Sequence, residues 1–87
     1  MEAKEKRISI SEWNEEALFA DGLDDAIIGY ARRCGQPTLA VYDVDRCIRI
    51  LMQGGLDYDG AVEHFEFNVV GSWHGENTPI FMYGFEE

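Results

Sequence analysis

The sequence predicts an α+β domain: a three-stranded antiparallel sheet with two helices on one face, in the order (α)ββααβ. Short apolar runs between turn residues give the strands, and two apolar stripes at helical spacing, each preceded by an aspartate, give the helices. The 87 residues suit a single domain, 1–87. Within it we take 20–85 as the core and 1–19 as an N-terminal segment without a firm assignment.

The N-terminal segment contains one candidate helix. Ser11 is a good N-cap for a helix over residues 12–19, and the acidic first turn of that helix suits the positive end of its dipole. Gly22 then fits the position that follows a helix C-terminus.

A β-hairpin follows the N-terminal segment. Residues 26–31 are apolar and lie between an acidic pair and an arginine pair, and residues 38–42 form a second apolar run. Residues 34–37, Cys-Gly-Gln-Pro, have the composition of a turn. The two runs therefore predict antiparallel neighbours.

The first predicted core helix begins after Asp43, a favourable N-cap. Four apolar residues after it fall at i, i+3, i+4 and i+7, which places them on one helical face. They are Val44, Cys47, Ile48 and Leu51. Gly54 and Gly55 predict the end of this helix.

The second predicted core helix begins after Asp57. Its apolar stripe consists of Tyr58, Ala61, Val62, Phe65 and Val69. Residues 65–69 also alternate as a strand would, but the stripe starts earlier and has a capping residue, so we predict a helix. A loop over 71–78 follows, and Pro79 opens the last strand, from Ile80 to Tyr83 or Phe85.

The predicted strands are apolar on both faces, which predicts that both faces are covered. Two helices cover one face. The other face is covered either by the N-terminal segment, with Trp13, Leu18 and Phe19, or by a second copy of the chain, and both alternatives stay open.

The net charge of −10 points to the class of partner. Direct binding to nucleic acid or to an anionic membrane needs a positive surface, so both are excluded. A negative surface attracts basic proteins, including those that bind nucleic acid. The candidate acidic residues form two groups: Glu12, Glu15, Glu16, Asp21, Asp24 and Asp25 before the first strand, and Asp57, Asp59, Glu63 and Glu66 on the second helix.

The sequence offers little for catalysis. Cys34, Cys47, His64 and His74 lack metal-ligand spacing, and there is no nucleophile elbow, phosphate loop or dinucleotide fingerprint. The one polar cluster is the loop with Asn68, His74, Glu76, Asn77 and Thr78, in which His74 and Glu76 are a candidate proton-transfer pair. Turn formation explains this loop better. We therefore predict no enzyme, no catalytic residue, no metal and no cofactor.

The expected location is the cytoplasm of a bacterial host. No apolar stretch has the length of a membrane span, and Met1–Arg7 leads into no apolar signal segment.

Several stretches resemble a group of small uncharacterised proteins from bacteria and their phages. The resemblance spans roughly residues 20–83 and rests on 24–29, on Tyr42-Asp43 before a helix, and above all on the Phe-Glu-Phe-Asn segment from Phe65 with Gly-Glu-Asn-Thr-Pro at 75–79. It implies a phage or mobile-element origin, and it implies no activity and no catalytic residues.

Three functional hypotheses follow. The first is a phage-type or bacterial accessory protein that binds a basic host protein and inhibits it by presenting a negative surface in place of nucleic acid. The second is a homodimeric structural or regulatory module that associates through its apolar sheet face. The third, and least favoured, is a small hydrolase-type enzyme that uses His74 and Glu76.

Overall fold

The computed structural model describes residues 1–72 and 75–85. Within these residues the fold is α+β, with three α-helices and a three-stranded mixed sheet in the order β1-β2-β3. The helices are α1 (Ala3–Trp13), α2 (Val44–Gln53) and α3 (Tyr58–His64), and the strands are β1 (Ile27–Ala31), β2 (Leu39–Asp43) and β3 (Ile80–Met82).

The first helix lies earlier in the chain than predicted. A helix over residues 12–19 with Ser11 as its N-cap is wrong, because Ser11 lies inside α1. The helix ends at Asn14, whose side-chain Oδ1 accepts a hydrogen bond from the backbone N–H of Glu16 (3.1 Å). Such a local turn competes with helix continuation, so the chain leaves the helix within the region where the sequence predicted one. Gly22 has a φ of +80° and belongs to a turn, where glycine is favoured.

The predicted hairpin is confirmed. Strands β1 and β2 pair in antiparallel register, with Tyr30 opposite Ala40 and Ile27 opposite Tyr42. Ile28 is the extra residue of a bulge in β1.

The third strand corrects the predicted sheet: β3 runs parallel to β2, with Val41 beside Ile80. The sheet is therefore mixed and not wholly antiparallel. Since α2 and α3 lie between the two strands, the chain makes a β–α–β crossover, and such a crossover returns the next strand parallel.

Both predicted core helices and their caps are confirmed. Asp43 Oδ2 accepts from the backbone N–H of Arg46 (3.1 Å), and Asp57 Oδ1 accepts from that of Gly60 (2.8 Å). After α3 the chain stays helical through a wider π-type turn over Phe65–Val69 and a tighter 3₁₀ turn over Val70–Ser72. The helical interpretation of residues 65–69 is thus correct.

The hydrophobic core lies on one face of the sheet. Tyr42 on β2 is fully buried there, and its ring contacts Phe81 of β3 (5.6 Å between centroids), which in turn meets Phe65 edge-on (5.4 Å). The N-terminal segment packs on the same face, because Trp13 contacts Tyr30 (4.5 Å between centroids). Tyr30 points the same way as its cross-strand partner Ala40, which is buried.

The opposite sheet face is not covered by the N-terminal segment. Leu39, Val41, Ile80 and Met82 alternate with the core residues of β2 and β3 and so lie on that face. Ile80 and Met82 are 39% and 41% exposed, and none of the four belongs to the core or to the side chains packed against it. The second alternative, coverage by another copy of the chain, stays a prediction.

Candidate functional site

The first group of acidic residues lies beside the basic residues of α1. Arg7 Nη1 donates hydrogen bonds to both carboxylate oxygens of Asp24 (3.0 and 3.2 Å). Glu12 and Glu15 share an open surface depression with Lys4 and Arg7. The negative charge of this region is thus partly offset by bases that the fold brings to it.

The remaining members of the first group are exposed but dispersed. Asp25 borders a second depression together with Lys4 and Lys6, while Asp21 lies in the turn before Gly22. Glu16 follows the end of α1. The ten predicted acidic residues therefore do not make one uniform surface.

The second acidic group lies on α3 and in the turns next to it, in a segment that contains no Lys or Arg. Asp57, Asp59, Glu63 and Glu66 are all exposed, and residues 50–87 contain no Lys or Arg. Asp57 also caps the helix, so one of the four carboxylates has a structural role. These acids therefore have no Lys or Arg neighbour within their own segment, and the nearest arginines along the chain, Arg46 and Arg49, belong to α2.

Large apolar side chains are exposed among these acids. Phe67 is 74% exposed, Tyr58 62%, Tyr83 56% and Leu56 41%. We call the four acids and these four apolar side chains the α3 surface. Exposed aromatic residues are the type that dominates binding energy at protein interfaces.

Two depressions border the α3 surface. One, which we call the Tyr58–Tyr83 groove, holds about 210 Å³ and is lined by Val44, Asp45, Ile48, Tyr58, Val62, Phe65, Glu66, Tyr83 and Gly84. The other, the Phe67 depression, holds about 350 Å³ and is lined by Leu56, Gly60, Glu63, His64, Phe67 and Asn68. Glu66 and Glu63 therefore face different depressions.

A hydrogen bond joins the chain after β3 to the π-type turn that follows α3. The Tyr83 hydroxyl donates to Glu66 Oε1 (3.1 Å). Partial burial raises the pKa of Tyr83, and the hydrogen bond to Glu66 raises it further. Tyr83 is thus a neutral donor at physiological pH, and it positions the Glu66 carboxylate.

The predicted polar loop is not assembled as a cluster. Asn68 lies on the α3 side, with its amide nitrogen 3.3 Å from His64 Nδ1, whereas the side chain of Asn77 accepts a hydrogen bond from Asn14 (3.0 Å). Glu76 is exposed, and Thr78 Oγ1 is buried without a partner among residues 1–72 and 75–85. His74 lies outside the described residues, so the predicted pair of His74 and Glu76 stays a prediction.

The cysteines and the acids form no assembled metal site in the described parts of the chain. No three His, Cys, Asp or Glu side chains converge there. Cys47 is fully buried, and burial raises the pKa of its thiol to about 12, with the nearby Asp43 adding to the shift. The thiol is therefore protonated at neutral pH and acts as a core side chain. Cys34 is a free, exposed thiol in the hairpin turn.

Sequence reasoning missed the apolar half of the α3 surface. It placed Tyr58 on the buried stripe, but this residue stands in the first turn of α3 and is largely exposed. Phe67 could have been found, because it lies two residues after buried Phe65, about 200° around the helix. The contribution of Tyr83 depends on the crossover that brings the chain after β3 beside α3, which no local pattern reveals.

Comparison with protein-family models, curated proteins and solved structures gives no match for this chain. Within residues 1–72 and 75–85, every helix is too short or too polar to cross a membrane.

Proposed function

We propose that this chain is an accessory protein that binds a basic partner protein through the α3 surface. The observation that carries the proposal is the exposure of Tyr58, Phe67 and Tyr83 among carboxylates, in a segment with no Lys or Arg. Exposed aromatic side chains supply apolar contact area, and the surrounding charge attracts and orients a positive partner. The α1 side is a weaker candidate, since Arg7 and Lys4 lie among its acids.

The partner class that fits best is a nucleic-acid-binding protein of the bacterial host, whose basic site the α3 surface would occupy. Asp59 and Glu63 stand one helical turn apart on α3, and Glu66 follows in the π-type turn. Such a row of negative charges can compete with a phosphate backbone for arginines and lysines.

A capture experiment with two variants of equal charge tests the proposal. The α3 variant carries Asp59→Asn, Glu63→Gln and Glu66→Gln, and its control carries Glu12→Gln, Glu15→Gln and Glu16→Gln, so each loses three negative charges. Tagged wild type and both variants are incubated with bacterial lysate, and bound proteins are quantified by mass spectrometry. We expect the wild type and the control to capture a set of basic proteins that the α3 variant does not capture. Added duplex DNA should displace these proteins from the wild type. Identical captured sets for both variants would contradict the proposal.

The exposed sheet face supports a second candidate function, a homodimeric module. Leu39, Val41, Ile80 and Met82 present a contiguous apolar strip that a second copy could cover. Sedimentation velocity at several concentrations tests it. A dimer that dissociates on dilution and is abolished by Met82→Lys supports the module, whereas a monomer at all concentrations rejects it.

A further inference from the structure

We propose that the Tyr58–Tyr83 groove binds the side chain of a single arginine of the partner. This inference rests on the proposed function, because it names the side chain that the α3 surface would recognise. The floor, the walls and the rim of the groove each match one part of an arginine side chain.

The floor of the groove is apolar and preformed. Phe65 is fully buried, Val44 and Ile48 are nearly so, and Val62 is half-buried beside them. These side chains belong to the core or pack against it, so the floor needs no rearrangement to accept a ligand. The three methylene groups of an arginine can lie on such a floor while the charged head stays at the rim.

The walls and the rim suit the head group. Tyr58 and Tyr83 line the sides of the groove, and the face of a tyrosine ring attracts a cation placed over it. Asp45 and Glu66 stand at the rim as exposed carboxylates. Because Tyr83 occupies Oε1 of Glu66, Oε2 remains available for a guanidinium donor.

Other occupants fit less well. An apolar side chain would desolvate the two carboxylates without pairing them, and a phosphate or carboxylate ligand would be repelled by them. Lysine shares the charge but lacks the planar fork that stacks on aromatic rings and pairs with carboxylates at two points. Arginine is thus the occupant that uses every part of the groove.

An NMR titration of the full chain with short peptides tests the inference. The probe is the acetylated and amidated peptide Gly-Gly-Arg-Gly-Gly, and the controls replace its arginine with lysine or with citrulline, which is nearly isosteric but uncharged. We expect amide shifts centred on residues 44–48, 58–66 and 83–84, with weaker binding of the lysine peptide and none of the citrulline peptide. Shifts centred on α1, or equal binding of all three peptides, would overturn the inference.

Two double variants separate the groove from the general negative field. Asp45→Asn with Glu66→Gln removes both carboxylates at the rim, and Asp59→Asn with Glu63→Gln removes the same charge from residues that do not line the groove. We expect the variant at Asp45 and Glu66 to bind the arginine peptide about tenfold more weakly, and the variant at Asp59 and Glu63 less than about threefold more weakly, while thermal melts confirm that both fold. Equal weakening by both pairs would mean that the groove has no specific role. If the arginine peptide fails to bind but the α3 variant still loses its captured partner, the groove inference fails and the protein-binding function stands.

Discussion

Replacing Tyr42 with phenylalanine tests how the N-terminal segment is attached to the sheet. The backbone N–H of Ala20 donates to the Tyr42 hydroxyl at 2.8 Å, and both residues are almost fully buried. In Tyr42→Phe the ring still fills its site, but the N–H of Ala20 loses its acceptor. A buried donor left without a partner costs about 1–3 kcal/mol of unfolding free energy. For a domain of this size, that corresponds to a decrease in Tm on the order of 10 °C.

Thermal and urea unfolding followed by circular dichroism measure this loss. The matched control is Tyr30→Phe, since Tyr30 is 56% exposed and its hydroxyl makes no hydrogen bond within the described residues. The control should change the unfolding free energy by less than about 0.5 kcal/mol. If the two variants lose the same stability, the N-terminal segment is not held to the core face through Tyr42, and this account of the fold is refuted.

Three further predictions concern the core and a helix cap. Burial raises the pKa of Tyr42 from 10.0 to about 12 and that of Cys47 from 9.0 to about 12. Between the lower and the higher pKa of each group, the folded state keeps a proton that the unfolded chain has released. The free energy of unfolding, measured by urea titration, should therefore be constant below about pH 9 and fall steadily from there towards pH 12. In Tyr42→Phe the decrease above pH 10 should be smaller. An unfolding free energy that stays constant up to pH 12 would contradict this prediction. Because Phe65 is buried and Phe67 is exposed, Phe65→Ala should lower the free energy of unfolding by about 3–5 kcal/mol and Phe67→Ala by less than about 0.5 kcal/mol, as measured by urea unfolding. Comparable losses in the two variants would refute the assigned helix faces. Asp43→Ala should lower the free energy of unfolding by about 1 kcal/mol, because the backbone N–H of Arg46 loses its acceptor. An unchanged urea midpoint would contradict the capping role of Asp43.

The parts of the fold that depend on local sequence were predictable. Asp43 and Asp57 each lie directly before an apolar stripe, and each caps the helix that was expected there. The hairpin followed from two apolar runs on either side of a turn. In each case, the residues that determine the element are neighbours in the chain.

The errors concern relations between distant segments. The direction of β3 depends on the crossover through α2 and α3, and the apolar residues of a three-residue strand fit either direction. The start of α1 depends on contacts such as that of Lys6 Nζ with the carbonyl oxygen of Ile27 (2.9 Å). Its hydrophobic pattern alone is weak, because Ile10 is its single buried residue.

The negative charge of the candidate site could be predicted from the sequence, but the shape of its surface could not. The acids of α3 were identified from the sequence, and the structure leaves all four exposed. The acids near α1 looked equally suitable until the fold placed Arg7 against Asp24. The Tyr58–Tyr83 groove needs α2, α3 and the chain after β3 together, and no single stretch of sequence contains it.

Binding through the α3 surface is measured by the affinity of the most strongly captured basic protein for the two charge-matched variants. Isothermal titration should give a Kd at least about tenfold weaker for the variant at Asp59, Glu63 and Glu66 than for wild type, with a reduced dependence on salt. The variant at Glu12, Glu15 and Glu16 should stay within about threefold of wild type. An equal loss in both variants would show that net charge alone attracts the partner, and a greater loss in the second would place the binding surface on the α1 side.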